Sequence, residues 1–524
     1  MNILQSNLAA GLPYQIDSVR GAAILEQTLL TDGQRAELDP DDPRWVRFSE
    51  GTTHGIILDF GDEKSIERVA IRFLQYTDQK VFFPATVSVF ASADGQGWEL
   101  VTHIPTRKPM WHAGPPHDQL YVWDGKADGL RTGDKEAKSF AARYLKVTLT
   151  ADLNLMADEL EVWGTDAVTD ETGRTDSYLP GYMAPGEHTA GIHDLVLLYN
   201  GHYSNGTGAW TKDNIIPYIS YVDEQRRPID WMFDGVLYLG LLSPSGHSFE
   251  TGTAVIETEW KWYLDKTFGV DGDLDQLNDA VKEAAEQLGQ SDKRMKVVLM
   301  LPNPGTLSSS FEIKEGQLAA YDSGALSVAE ELDMKKLLMR WYMDELMTRW
   351  SLKGYDHLEL SGIYWLSEGV SVDIPQEDNL IRYMSEIVHE QGLHFFWIPF
   401  FYGGRSFDWR ELGFDAVVLQ PNHFFNGTKE ERIEDTAYLA QLYGVGIEME
   451  CDERMNEDPA YRRRYIEYLN GGVKYGYMTN TLRGYYQGNT SLLDSARSTN
   501  PEHRELYDWT YQFIKGTYEI QELE

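Results

Sequence analysis

One cysteine, Cys451, in 524 residues excludes an intrachain disulfide and any zinc site built on several thiolates. No apolar run approaches the roughly 18 residues that a membrane-spanning helix needs, so no membrane span is expected. Positive charge is scarce: 46 Lys and Arg face 83 Asp and Glu, a formal net charge of −37. Such a field repels phosphates, which excludes nucleic acid as a partner and disfavours a strongly polyanionic substrate. Metal-ligand spacings such as His-x-His or His-Glu-x-x-His are missing, and His193, His202, His247, His394 and His423 lie far apart in the chain. A metal-dependent hydrolase would need those distant positions to converge, so no metal ligand is assigned. A Gly-x-Ser-x-Gly elbow is also missing, which removes the usual signal for a serine nucleophile. Met1 to Gly11 lacks a basic region followed by an apolar core, so it does not read as a leader. A cytoplasmic protein and a secreted one with its leader removed both fit.

What is abundant is aromatic and polar at once: 30 Tyr and 15 Trp. These rings present an apolar face with a polar handle, which suits stacking on sugar rings and also suits filling large β-rich cores.

Residues 1–165 alternate apolar and polar residues in short runs between Gly, Asp and Pro turns, the pattern of a β-sandwich. Strands are expected at 55–60, 66–73, 85–91, 98–101, 143–149 and 158–163. The stretch Leu30-Thr-Asp-Gly33, Trp45, the Leu-Asp-Phe strand with Gly61, Val89-Phe-Ala-Ser-Ala-Asp-Gly95 with Trp98, and Arg143-Tyr-Leu-Lys-Val resembles a discoidin-like, galactose-binding-like jelly roll. That resemblance implies sugar binding through loop aromatics, for which Trp45, Tyr76, Phe82, Phe83 and Trp111 are candidates, or else simple packing against a neighbouring domain. It also implies a structural calcium near Asp32 and Glu159.

Residues 166–190 are polar, carry Gly and Pro, and show no periodicity, as a linker does. From 191 to 524 apolar strands alternate with amphipathic helices. Strands are expected at 194–200, 235–242, 296–302, 358–365, 394–399, 416–420, 445–450 and 474–478. Eight such alternations predict a (β/α)8 TIM barrel; a doubly wound open sheet is the competing fold, but no glycine fingerprint for a nucleotide follows the first strand.

In such a barrel the chemistry sits at the C-terminal ends of the strands. Read there, the candidates for holding substrate are Asn200, His202, Asn303, Trp365, Trp397, Tyr402, Gln420, Asn422, His423, Glu448 and Tyr486. Glu368 ends the fourth expected strand in Ser361-Gly-Ile-Tyr-Trp-Leu-Ser-Glu368-Gly, and Glu450 ends the seventh in Val445-Gly-Ile-Glu448-Met-Glu450. Two carboxyls in different environments can supply the proton donor and the ionised partner that glycoside hydrolysis needs, in retaining or inverting form according to their separation.

That placement resembles clan A glycoside hydrolases, which implies Glu368 as general acid/base and Glu450 as nucleophile of a retaining reaction. Ser367 stands where that clan has Asn, and Glu448 shares the face of Glu450 two residues away. Residues 190–520 also resemble a bacterial family catalogued as domain of unknown function 4855, through Leu198-Tyr-Asn-Gly201, Phe233-Asp-Gly-Val236, Gly362-Ile-Tyr-Trp-Leu-Ser-Glu368, Trp397-Ile-Pro-Phe-Phe-Tyr402, Leu419-Gln-Pro-Asn422 and Gly446-Ile-Glu-Met-Glu450. Its members often carry discoidin-like domains. The expectation is a hydrolase acting on a poly- or oligosaccharide without a required cofactor. The alternative is a carbohydrate-binding or scaffold protein with a degenerate barrel.

Overall fold

The computed structural model describes all residues except 1–4, 19–22, 50–52, 85, 106–113, 128–136, 151–152, 170, 174–180, 251–255, 308, 322–323, 372, 427–430 and 524. Trp111 and part of the linker fall outside the described residues. Two compact units emerge: Met1–Pro180 with Ser371–Asp373 and Tyr402–Asp408, and Gly181–Val370 with Ile374–Phe401 and Trp409–Glu524.

The first unit is a 10-stranded antiparallel sheet around one apolar core. Its spine is Thr53–Gln75, where the sequence suggests two strands. A register shift between Asp59 and Lys64 joins them: Asp59 accepts the Gly61 N–H at 2.8 Å, and Gly61 takes a φ of +79° that only glycine adopts cheaply. The first half of the spine pairs with Phe140–Thr150 and the second with Asn154–Thr165 and His117–Asp124. The candidate loop aromatics are mostly interior. Trp45, Phe82 and Phe83 are buried, Trp45 under the Arg72 guanidinium, so they fill the core and do not offer faces to a ligand; Tyr76 is half-buried.

The second unit contains a closed barrel of eight parallel strands. In order these are strand one Asp194–Tyr199, two Gly235–Leu239, three Met295–Leu301, four Leu358–Trp365, five His394–Trp397, six Ala416–Leu419, seven Gly446–Cys451 and eight Arg483–Gln487, which pairs back onto strand one. Buried Val, Ile and Leu on both faces of these strands place them between the barrel interior and surrounding helices. The helices between them include Asp273–Gln287, Val328–Lys353, Glu377–Glu390, Glu431–Tyr443 and Pro459–Tyr475.

One strand assignment moves. Residues 474–478, expected as strand eight, form the end of the Pro459–Tyr475 helix and the turn after it. Gly471 and Gly472 lie inside that helix because a Cβ there would meet the Tyr477 hydroxyl at 2.6 Å and the Phe513 ring at 2.3 Å. The true eighth strand begins at Arg483, so the count of eight and the place of Glu450 in the seventh are unchanged.

Candidate active site

Strand alternation decides which side chains face the barrel interior. In the register between strands seven and eight, Glu448 sits opposite Gly484 and Glu450 opposite Tyr486, on one face. Cys451 faces the other way and meets Ser491 of an outer helix at 3.6 Å. A Cβ at Gly484 would crowd Val418 of strand six at 3.0 Å and touch the Glu448 side chain at an ordinary 3.7 Å. Glu368 follows strand four by three residues and is half-buried, while Glu450 and Glu448 are 1% and 2% exposed.

Two amides from the loop after strand six link the acids. Gln420 hydrogen-bonds the Glu368 carboxyl and donates to the Ile398 carbonyl at 2.9 Å. Asn422 Nδ2 lies 3.4 Å from Gln420 Oε1 and 3.5 Å from Glu450 Oε1. Asn422 has a φ of +54°, a conformation asparagine tolerates better than most residues. The Tyr468 hydroxyl, from the helix Pro459–Tyr475, donates to Glu450 Oε2. Asp458 caps that helix by accepting the Ala460 N–H at 2.8 Å, and Pro459 occupies its first turn.

The electrostatics follow from burial without a cation. Burial pushes Glu368 up to about 7, with Glu250 adding like charge and the Gln420 bond opposing. Glu450 is also pushed up to about 7 by burial, against lowering bonds from Tyr468 and the backbone at Asn422 and His423, with Glu368 adding repulsion. Glu448 is raised well above the carboxylate range by burial, then by Glu450 and Glu368. Among the described residues none of the three makes an ion pair, and Glu448 makes no hydrogen bond through its carboxyl.

Several sequence candidates are committed elsewhere. Asn200 is fully buried, donating to Thr267 at 3.2 Å and Asp273 at 3.0 Å and accepting from Tyr263 at 2.7 Å, so both its N–H donors are already used within the protein. Asn303 donates to Ser367 Oγ and to Glu377 at 3.1 Å, bracing the turn that carries Glu368 from beneath. Trp365 and Trp397 point away from the interior, because Tyr364 and Phe396 occupy the inward positions of the same register. Trp397 stacks on Phe414, and its indole N–H donates to the Ser367 carbonyl at 2.7 Å. His202 is exposed and edge-on to Trp262. His423 is buried with its ring 2.7 Å from Glu467. Tyr402 groups with the first unit. Gln420, Asn422, Glu448, Glu450 and half-buried Tyr486 gather at the strand-seven end, within reach of Glu368.

Four residues at this site escaped the sequence reading. Tyr199 packs edge-on to Tyr486 at 5.4 Å and shares electrostatic contact with Glu368 and Glu448; Tyr364 does the same from strand four. Strand parity would have found both. Glu250, on the loop after strand two, is half-buried, has its carboxyl raised by burial, and accepts the Ser367 hydroxyl on its backbone carbonyl at 3.3 Å. No sequence signal marks Glu250 or the helical Tyr468.

In the first unit, both oxygens of buried Glu159 accept the Gly33 N–H, at 3.1 and 2.9 Å. Burial, then Asp32, Glu161 and Asp158, push it up to about 7 against that one donor. Asp158 is committed to Arg72 at 2.8 Å and to the Ala36 N–H at 2.7 Å. Among the described residues no group of three or more His, Cys, Asp or Glu side chains is arranged to hold a metal ion. Among the described residues no helix is long and apolar enough to cross a membrane.

No curated protein matches the chain. Among solved structures it is similar to a chitosan-binding module 1 from a chitosanase/glucanase of Paenibacillus sp. IK-5, at 16% identity over 31% of this chain and 100% of that chain, TM-score 0.19. A Streptococcus pneumoniae fucose binding module matches at 17% identity over 31% and 99%, TM-score 0.20. A Ruminococcus gnavus GH29 fucosidase in complex with fucose matches at 19% identity over 32% and 27%, TM-score 0.19. The family model described as "Domain of unknown function (DUF4855)" matches residues 194–512, which run from the first residue of strand one into the last helix, and the chain belongs to that family.

Proposed function

We propose that this protein is a glycoside hydrolase acting on a poly- or oligosaccharide, its barrel a (β/α)8 glycosidase scaffold. The observation that carries the reading is the acid pair itself: Glu368 beyond strand four and Glu450 in strand seven of one closed parallel barrel, linked through Gln420 and Asn422. Burial raises Glu368 and Glu450 alike to about 7, so the roles rest on placement: Glu368, beyond strand four, gives its proton to the departing glycosidic oxygen. Glu450 in its ionised form attacks the anomeric carbon, so that the C–O bond to the leaving group breaks as the glycosyl–carboxylate bond forms. Glu368, now ionised, takes a proton from water, whose oxygen displaces Glu450 and regenerates both carboxyls. Tyr199 and Tyr486 offer inward aromatic faces beside the acids.

A second reading, carbohydrate binding without turnover, is favoured by one observation: Glu450 is only 1% exposed, less than an attacking group needs in the resting state. Both readings meet one experiment. The wild type, E368Q and E450Q are screened against polysaccharides and aryl glycosides for released sugar. The hydrolase reading expects cleavage by the wild type that either substitution abolishes. Cleavage that survives both substitutions, or sugar binding with no cleavage at all, contradicts it.

A further inference from the structure

Strand seven presents two same-facing acids, and the structure treats them unequally. Glu450 receives the Tyr468 hydroxyl and the Asn422 amide; Glu448 receives no hydrogen bond from any described residue. The Tyr468 oxygen is itself fixed, accepting the backbone N–H of His423 at 3.1 Å and of Phe424 at 3.3 Å. With both donors on the oxygen, the phenolic proton is directed at Glu450. The same helix grips the strand-six loop a second time: Glu467 holds the His423 ring at 2.7 Å while Arg463 donates to its other oxygen at 3.0 Å. Two successive residues of one helix therefore set where the hydroxyl lies and where its proton points.

We propose that Tyr468 is a positioning residue that assigns the ionised state to Glu450 and leaves Glu448 the protonated member of the strand-seven pair. Burial and the Glu450 charge hold the Tyr468 phenol itself well above its ordinary range, so it stays a donor. The groups facing Glu450 are Glu448 from its own strand, Glu368 from beyond strand four, Tyr486 from strand eight, Asn422 and His423 from the strand-six loop, and Tyr468 from the helix; Glu467 reaches this set through His423. Cys451 lies on the opposite face of the strand. Among these neighbours Tyr468 alone donates a side-chain O–H. The inference rests on the hydrolase reading only for its meaning in catalysis; the charge assignment stands or falls by itself.

The test needs no substrate. The full chain, labelled with 13C at glutamate side-chain carboxyls, is titrated by NMR, with E368Q, E448Q and E450Q assigning the three resonances. In Y468F the Glu450 midpoint is expected to rise by roughly half a unit to one unit, the scale of one lost hydrogen bond to a carboxylate. In E448Q the Glu450 midpoint is expected to stay where it is, because a protonated neighbour exerts no repulsion. A Glu450 midpoint unmoved in Y468F overturns the inference, as does a Glu448 midpoint below that of Glu450. Should Y468F not fold, E448Q decides: a fall in the Glu450 midpoint would mean that Glu448 carried the charge. Failure of the hydrolase reading shows up separately, as a wild type that cleaves no glycoside.

Discussion

Asp194, at the start of strand one, and Glu448, in the middle of strand seven, are both buried carboxyls of one barrel, yet only the first meets a cation. Arg483, at the start of strand eight, donates to the two oxygens of Asp194 at 2.8 Å each, and the Tyr485 hydroxyl adds a third bond at 2.7 Å. Asp234 lies beside them, raised by burial and by Asp194, and accepts the Asp194 N–H at 2.9 Å. At the other end Glu368, Glu448 and Glu450 gather with no ion pair among the described residues, and burial raises all three. Removing a charge from water costs several kcal/mol unless it is paired, so the paired end is built to close the barrel. Glu368 and Glu450, pushed up to about 7, stand at the boundary between protonated and ionised, the condition that acid/base work requires, while Glu448 is raised well above the carboxylate range.

Arg483→Met is the harshest way to break this comparison, since it turns the closed end into an unpaired one. Leaving Asp194 buried beside Asp234 is expected to cost about 3–5 kcal/mol, read from the urea midpoint. A smaller loss of catalysis than of stability should accompany it. Conversely, E368Q and E450Q remove an unpaired acid and are expected to lower turnover roughly 100-fold or more without lowering the denaturation midpoint at pH 8.

Glu448→Gln sharpens the contrast through pH. The folded state holds the Glu448 proton more tightly than the unfolded chain, whose ordinary value is 4.5. The wild type therefore loses stability as pH rises above about that value, and a neutral amide does not. The variant should match the wild type at pH 4 and grow progressively more stable than it from pH 5 to pH 9. Equal pH profiles for the two proteins would mean that Glu448 is already compensated. The smallest effect is expected from Trp397→Phe, which keeps the stack on Phe414 and removes the bond to the Ser367 carbonyl, for a loss of about 1 kcal/mol. A comparable loss of turnover with no loss of stability would instead place this ring among the substrate contacts.

Seven of the eight barrel strands were legible because long apolar runs with helical gaps leave few alternatives, and strand order alone places Glu368 beyond strand four and Glu450 in strand seven. What the sequence does not show is local and physical. Asn200 and Asn303 sit at strand ends, as substrate contacts do, yet their amides are consumed by Asp273 and by Ser367. Trp365 and Trp397 were placed by proximity in sequence, although alternation turns them outward and gives the interior to Tyr364 and Phe396. Tyr468 could not be read at all, because it lies 18 residues past Glu450 and meets that carboxyl only once its helix packs over the strand-six loop.

The most direct measurement is proton NMR of the first sugar released from a cleaved glycoside, run for the wild type beside E450Q. A product of retained anomeric configuration is expected from the wild type and none from E450Q. A product of inverted configuration, or undiminished cleavage by E450Q, would contradict that expectation.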